Sequence, residues 1–292
     1  MSAESSTSGS PAGGSLTVGS PSAGSLATWW TILRICLEER LVYRGDFALG
    51  TLMRFLPIVT QVFLWKAIFT ANGDTSIAGY SYHDFIAYYL LTMIARAFSS
   101  MPGLASGIAL QIRNGEIKKF LIQPIDMIVF LFLGRVAHKV VYYAVAIAPF
   151  AFVFFLCRDF FPGWPDAATM AAFLLSLVMS FLLGFFLEAT LGMVGFWFLE
   201  VSSLLFVYML FSFFFSGHMF PIDMLPGVWG DLVGLLPLKY LAYFPSAVFL
   251  GKIRGQELIN ELLLEFSWLV FFVVASRVAL NRGFHRYSGY GG

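Results

Sequence analysis

Of 292 residues, 59% are hydrophobic and only 12% are charged, and the formal net charge is +1. That balance excludes a water-soluble globule, which needs more polar surface, and it gives no basic excess for a nucleic-acid partner. With a mean hydropathy of +0.79, the chain reads as an all-α integral membrane protein, and six runs approach the roughly 20 apolar residues that a membrane-crossing helix needs.

Residues 1–28 are mostly Ser, Gly, Ala, Thr and Pro without Lys or Arg, and read as a disordered N-terminal tail. They lack the basic start and apolar stretch of a secretory signal, so the first span is expected to act as its own insertion signal. Over 29–46, Trp30, Leu33, Leu37 and Leu41 recur at helical spacing against Arg34, Glu38, Glu39, Arg40 and Arg44, which predicts an interfacial helix. Transmembrane helices are predicted at 47–69, 85–105, 127–156, 167–187, 204–215 with its apolar upstream flank, and 258–280. Glu188 and Glu200 bracket a Gly-containing stretch suited to a tight turn. The transmembrane domain is thus 29–280, followed by a C-terminal tail at 281–292.

Lys and Arg concentrate in cytoplasmic segments. With the amino end inside, Arg34, Arg40, Arg44, Arg113, Lys118, Lys119, Arg135, Lys139, Arg277, Arg282 and Arg286 fall on or near the cytoplasmic side. Only Lys66, Arg158, Lys239, Lys252 and Arg254 fall opposite, so both termini are expected in the cytoplasm. Cys36 and Cys157 then lie on opposite faces, and no disulfide is expected.

Residues 106–126, SGIALQIRNGEIKKFLIQPID, join the second and third spans. A short helix at about 107–123 would place Ile108, Ile112 and Phe120 on one stripe and turn Arg113, Glu116 and Lys119 elsewhere, before Pro124 stops it. Either a soluble partner or the lipid headgroups suit such a helix. Between the last two spans, Pro221, Pro226, Pro237 and Pro245 cut 217–250 into pieces too short to cross, with Trp229, Tyr240 and Tyr243 as interfacial aromatics.

Charges within spans are costly and tend to face protein or water. Arg135, His138, Lys139 and Tyr142 share one face of the third span. They read as a cationic substrate path for an anionic or zwitterionic headgroup, or as snorkelling groups paired with Glu188 or Glu200. Arg54, Lys66 and Arg96 fit snorkelling or pairing. Glu257, Glu261 and Glu265 form an acidic stripe at the start of the last span, either facing a cationic cargo or paired with Lys66, Lys252 or Arg254.

Ile112, Arg113, Asn114, Gly115, Glu116 and Ile117, with Leu121 and Pro124, resemble the cytoplasmic signature of ABC-2 type permease subunits, in the small six-helix branch whose ATPase is a separate polypeptide. LLPLKYLAYFPSAVFLGKI, residues 235–253, resembles the segment before the last helix of that branch. The resemblance implies a type V exporter architecture of two permease subunits, alike or unlike, with two ATP-binding subunits in the plasma membrane. It implies a coupling helix made of Gln111, Arg113, Gly115, Glu116, Ile117, Lys118, Lys119 and Phe120, and a re-entrant hairpin at about 217–250. It further implies outward movement of an amphipathic or lipid-like cargo among membrane lipids, with ATP and Mg bound by the partner and no cofactor in this chain.

The residues agree that the ATPase is elsewhere. A P-loop requires Gly, four residues, then Gly-Lys-Ser/Thr; here Gly251-Lys252 is followed by Ile253, and Ser246 stands where the first Gly belongs. His83, His138, His218 and His285 form no metal motif, and Asp223 with His218 comes without a nucleophile elbow, so no catalytic role is expected. The alternative from residues alone is an ATP-independent channel or secondary carrier.

Overall fold

The computed structural model describes residues 26–41, 44–73, 76–123, 125–198 and 200–287. Most of the expected N-terminal tail and the end of the C-terminal tail lie outside them. Among the described residues the chain is helical throughout, with one isolated bridge, Ile77 to Tyr80.

Helix α1 (Leu26–Leu41) lies against α6, so the interfacial helix begins three residues before its expected start and stops short of 46. Helix α2 (Arg44–Asn72) takes up the rest, carrying Pro57 inside it. Helix α3 (Tyr82–Ser99) opens on a capping box, in which the Asp84 amide donates to Ser81 Oγ at 3.2 Å and the Ser81 amide to Asp84 Oδ2 at 3.1 Å. Eleven of its eighteen residues are buried, which makes it the central helix.

The expected second span, 85–105, is cut short. Ser100 is extended (φ −70°, ψ 137°) and Gly103 takes φ +72°, so Pro102 and Gly103 end α3 and a new helix, α4 (Leu104–Arg113), leaves in another direction. A second break follows at once, where Gly115 adopts φ +79°, and α5 covers only Lys118–Ile122. The single helix predicted over 107–123 is therefore a helix-turn-helix, because a left-handed Gly cannot lie within an α-helix.

Helix α6 (Met127–Leu156) coincides with the predicted third span and starts on Asp126, whose Oδ1 accepts from the Val129 amide at 2.8 Å. Helix α7 (Ala167–Met193) overruns its predicted end and continues as a 3₁₀ turn, Val194–Phe196, so Glu188 lies inside a helix and the tight turn comes after it. Helix α8 (Ser202–Phe215) is followed by short pieces, α9 (Val228–Leu235), a 3₁₀ segment (Pro237–Leu241) and α10 (Tyr243–Phe249). Helix α11 (Gly255–Arg286) closes the fold and absorbs the first residues of the expected C-terminal tail. Among the described residues α6, α7 with its 3₁₀ extension, and α11 are long and apolar enough to cross a membrane. Only 11% of the apolar window of α11 is buried, and side chains such as Phe266 and Phe271 point outward, as lipid contact requires.

Two apolar cores are the largest among the described residues, one along α3 and one around α4 and α5. One joins Trp65 and Phe85 to Phe173 and to Tyr240 and Phe244 of the broken segment. The other joins Ile108, Ile112, Ile117 and Phe120 to Phe185, Met193 and Phe196. Glycines let α7 lie directly on the α3–α4 break: a Cβ at Gly184 would stand 2.2 Å from the Ser99 carbonyl oxygen, and one at Gly192 2.7 Å from that of Ala105. Gly184→Ala is therefore expected to lower stability by about 1–3 kcal/mol, since backbone must move. Gly134→Ala on α6, where a Cβ meets nothing within 4 Å, is expected to be neutral or stabilising. Apparent melting temperatures of the purified variants in detergent check the contrast; equal shifts would contradict the close approach.

Candidate functional site

The α4–α5 element has a buried and an exposed side. Leu104, Ala105, Ile108, Ala109 and Ile112 face α7 and the Val194–Phe196 turn, and Ile117 and Phe120 continue that face beyond the Gly115 break. Of the residues assigned to coupling, Ile117 and Phe120 thus point inward and anchor the element, while Gln111 is half-buried with its side-chain oxygen enclosed. Arg113, Glu116, Lys118 and Lys119 are exposed, Gly115 makes the turn, and Lys119 Nζ sits 5.1 Å from the Phe120 ring centre. Leu110, Leu121 and Ile122 also stand outward, Ile122 at 82% exposure. The stripe pattern found the buried side but passed over these three; Leu121 and Ile122 lie beyond the Gly115 turn, which changes the helical register.

Arg113 Nη1 donates to Glu200 Oε2 at 3.3 Å, and Glu200 Oε1 accepts from the Ser202 amide at 2.9 Å. Hydrogen bonding from Ser202, with the Arg113 charge contributing, holds the Glu200 carboxyl below its ordinary range. Glu200 thus ties the α7–α8 turn to α4 and is not a partner of the α6 cations. At the other end of the element, Arg277 of α11 pairs with Asp126.

On α6, Arg135 Nη1 donates to the Pro102 carbonyl at 2.9 Å, and Lys139 Nζ donates to the carbonyls of Ala97 and, at 2.7 Å, Ser100. The stripe therefore serves the end of α3: its last carbonyls have no intrahelical partner, and cations are the natural donors there. Tyr142 is buried beside Ala97 and Ala146. The groove of about 550 Å³ running along this face is apolar, with Phe98, Val140, Ile147, Val178 and Phe181 among its walls, and the Lys139 ammonium is turned to the carbonyls.

The broken segment is held by hydroxyls. Tyr80 Oη donates to Asp223 Oδ2 at 2.8 Å and Tyr243 Oη to Asp223 Oδ1 at 2.6 Å, while Tyr88 and Tyr89 donate to the carbonyls of Gly217 and Met219. Burial first, and then the Asp223 charge, push both the Tyr80 and Tyr243 hydroxyls above their ordinary range, so they remain donors. Tyr240 and Tyr243 are accordingly core residues, contrary to their expected interfacial role; only Trp229, at 66% exposure, is free to play it. Asp223 is occupied by tyrosines and His218 packs on Phe213, which gives no hydrolytic pair.

The acidic stripe divides. Glu261 accepts from Lys239 Nζ at 2.8 Å and from Tyr240 Oη at 2.7 Å, whereas Lys252, an expected partner of the stripe, pairs with Asp84 at 2.9 Å. Glu265 is fully buried on the Ser176 side of α7.

A cavity of about 250 Å³, mostly apolar in its lining but with several polar groups, lies between α3, α4, α7 and α8. Arg96, Ser106, Glu188, Tyr208 and Ser212 supply its polar groups, among Met101, Leu205 and Met209. Arg96 Nη1 reaches Ser212 Oγ at 3.4 Å, and Glu188 lies against the Met101 amide in the field of Arg96, Arg135 and Lys139. The sequence offered Arg96 as an in-span charge and Glu188 as the edge of a turn after the fourth span; only packing brings them to one chamber with α8.

No curated protein matches the chain. The sequence model of the ABC-2 family transporter proteins matches residues 55–291, which takes in the α4–α5 element, the cavity beside α8, the broken segment and α11. By that match over most of its length, the chain belongs to the ABC-2 transporter family, whose members are membrane components of ABC transporters and normally work with an ATP-binding subunit.

Proposed function

We propose that the chain is the permease subunit of an ATP-driven exporter in the plasma membrane. It crosses six times through α2, α3, α6, α7, α8 and α11, keeps both termini in the cytoplasm, and pairs with a second permease. A separate P-loop subunit binds ATP and Mg and supplies the energy; this chain carries neither the P-loop nor a catalytic site. The cargo is amphipathic or lipid-like and moves outward.

The observation that carries this reading is the two-sided α4–α5 element. Its inner side is locked into the core through Ile112, Ile117 and Phe120, while Arg113, Glu116, Lys118 and Lys119 surround outward apolar Leu110, Leu121 and Ile122. An apolar patch rimmed by charge fits a protein partner better than lipid headgroups alone. The charge distribution supports cytoplasmic placement of this element and of both termini. Helix α8 is the shortest span: 14 residues rise about 21 Å, against a hydrocarbon core of roughly 30 Å, so the turns at its ends complete the crossing.

Two measurements test the reading. Full-length chain purified with its cognate ATPase is expected to lose retention of that subunit about tenfold when Arg113, Lys118 and Lys119 are changed together to Glu, since exposed charges govern association more than folding. Ile122→Asp should act in the same direction. Retention and transport both unchanged would remove the coupling assignment. For topology, Val228→Cys and Asp231→Cys, in a chain lacking Cys36 and Cys157, are expected to react with an impermeant thiol reagent from outside. Labelling from the cytoplasmic side alone would overturn the six-span arrangement.

A further inference from the structure

We propose that Glu265 is a proton-binding site inside the membrane, reached from the outer cavity through Glu261, and that its bound proton holds α7 against α11. The inference goes beyond the permease reading and uses it only to call that cavity the outer one.

Burial comes first. Glu265 is fully buried, ten residues into α11 and so about 15 Å from its start, and neither carboxyl oxygen has a hydrogen-bond partner among the described residues. Ser176 faces it from α7, also fully buried and with its hydroxyl equally without a partner, and Ser180 repeats that condition one turn on. No cation stands by for a carboxylate at this level. On α7 the titratable side chain is Glu188, about three turns further along, and the Val194–Phe196 turn brings none. The 3₁₀ segment Pro237–Leu241 brings Lys239 and Tyr240, both bound to Glu261, and on α11 itself the neighbour is Glu261, another acid. A stranded carboxylate is costly in hydrocarbon, and taking up a proton removes its charge. The acid form also gains an O–H to donate to the Ser176 hydroxyl, which a carboxylate, an acceptor only, lacks. Because neither Glu265 nor Ser176 has exposed surface, the ligand that fits is the proton, smaller than any metal or ammonium ion.

A route leads to it. Glu257, Glu261 and Glu265 stand one turn apart on one face of α11, and their burial deepens in that order from exposed to half-buried to buried. The first two border a cavity of about 240 Å³ together with Asp223, Asp231 and Lys239. Four carboxylates against one ammonium focus a negative field that gathers protons. A hydronium ion in the cavity gives its proton to Glu261, which passes a proton on to the Glu265 carboxylate and returns, ionised, to its pair with Lys239. Around Glu265 the two helices otherwise share an apolar core, with Phe173 and Leu177 of α7 and Leu262, Leu264 and Trp268 of α11. An ionised Glu265 must leave that core for water, so losing the proton and parting the helices are one event.

The test is infrared spectroscopy of the full chain purified in detergent at neutral pH, read as the difference between wild type and Glu265→Gln. The wild type is expected to show the band of a neutral carboxylic acid that the variant lacks, shifted after transfer to deuterated buffer and the same in sodium chloride as in choline chloride. Glu265→Gln, a neutral stand-in for the acid, is expected to keep the apparent melting temperature. Changing Glu261 and Lys239 together to Gln removes the relay without stranding a charge. That double variant should keep the acid band and slow its deuterium shift about a hundredfold, the low end of what a positioned proton-transfer group contributes. A carboxylate band in the difference, an acid band lost in sodium but not in choline, or a large fall in melting temperature on Glu265→Gln would overturn the proton site. Unchanged deuterium uptake in the double variant would overturn the route through Glu261. These readouts need neither ATPase nor cargo, so their failure leaves the ATPase-retention result untouched, and the reverse also holds.

Discussion

Helix α3 ends among packed helices rather than in water, and much of the rest of the structure answers that constraint. The last carbonyls of a helix have no intrahelical donor, and in a membrane protein they must find one within the fold. Lys139 donates to the carbonyls of Ala97 and Ser100, and Arg135 to that of Pro102 just beyond the helix. The costly cations of α6 are thereby explained by backbone chemistry, and they fix where α6 lies against α3. Glu188 completes the arrangement from α7, on the Met101 amide and within the field of the same cations.

Once α3 has ended there, α4 must start there, and its placement follows from close backbone contact. Gly192 and Gly195 bring α7 and its 3₁₀ extension onto Ala105 and Ala109, and Gly283 of α11 gives way to the Phe196 ring. A displacement of α4 that preserved these contacts would carry α7 and α11 with it, because interiors this tightly packed transmit strain rather than absorb it. The Arg113–Glu200 pair adds a link from α4 to the turn before α8, although an exposed pair of this kind contributes little to stability. The α4–α5 element, proposed above to meet an ATP-binding subunit, is thus joined by packing to the helices that border the cavity beside α8.

The broken segment is held in place by hydroxyl donors to carboxylates and carbonyls. Asp223 takes bonds from Tyr80 and Tyr243, and Glu261 from Lys239 and Tyr240. Short helices separated by prolines expose many peptide groups, and tyrosines satisfy them while bringing apolar rings into the same core. The two regions differ accordingly: tyrosine hydroxyls hold the broken segment, and glycine contacts with cation-to-carbonyl bonds hold the α3–α4 break.

The sequence by itself determined the class and much of the element map. Long apolar runs have no stable place in water, which made α6, α7 and α11 legible, and α6 was placed residue for residue. It also determined that Ile108 and Ile112 share a buried side of α4, because helical periodicity survives in a short segment, whereas Phe120 joins the same core across the Gly115 turn. Tertiary structure alone decided where α3 stops, since Pro102 and Gly103 permit a break but only the donors on α6 make it tenable between packed helices. It decided that Tyr240 and Tyr243 turn inward, because their partners, Glu261 and Asp223, are supplied by another helix and another turn. It also assembled Arg96, Glu188, Tyr208 and Ser212 into one chamber from three helices, and charge partners distant in sequence leave no periodic mark on it.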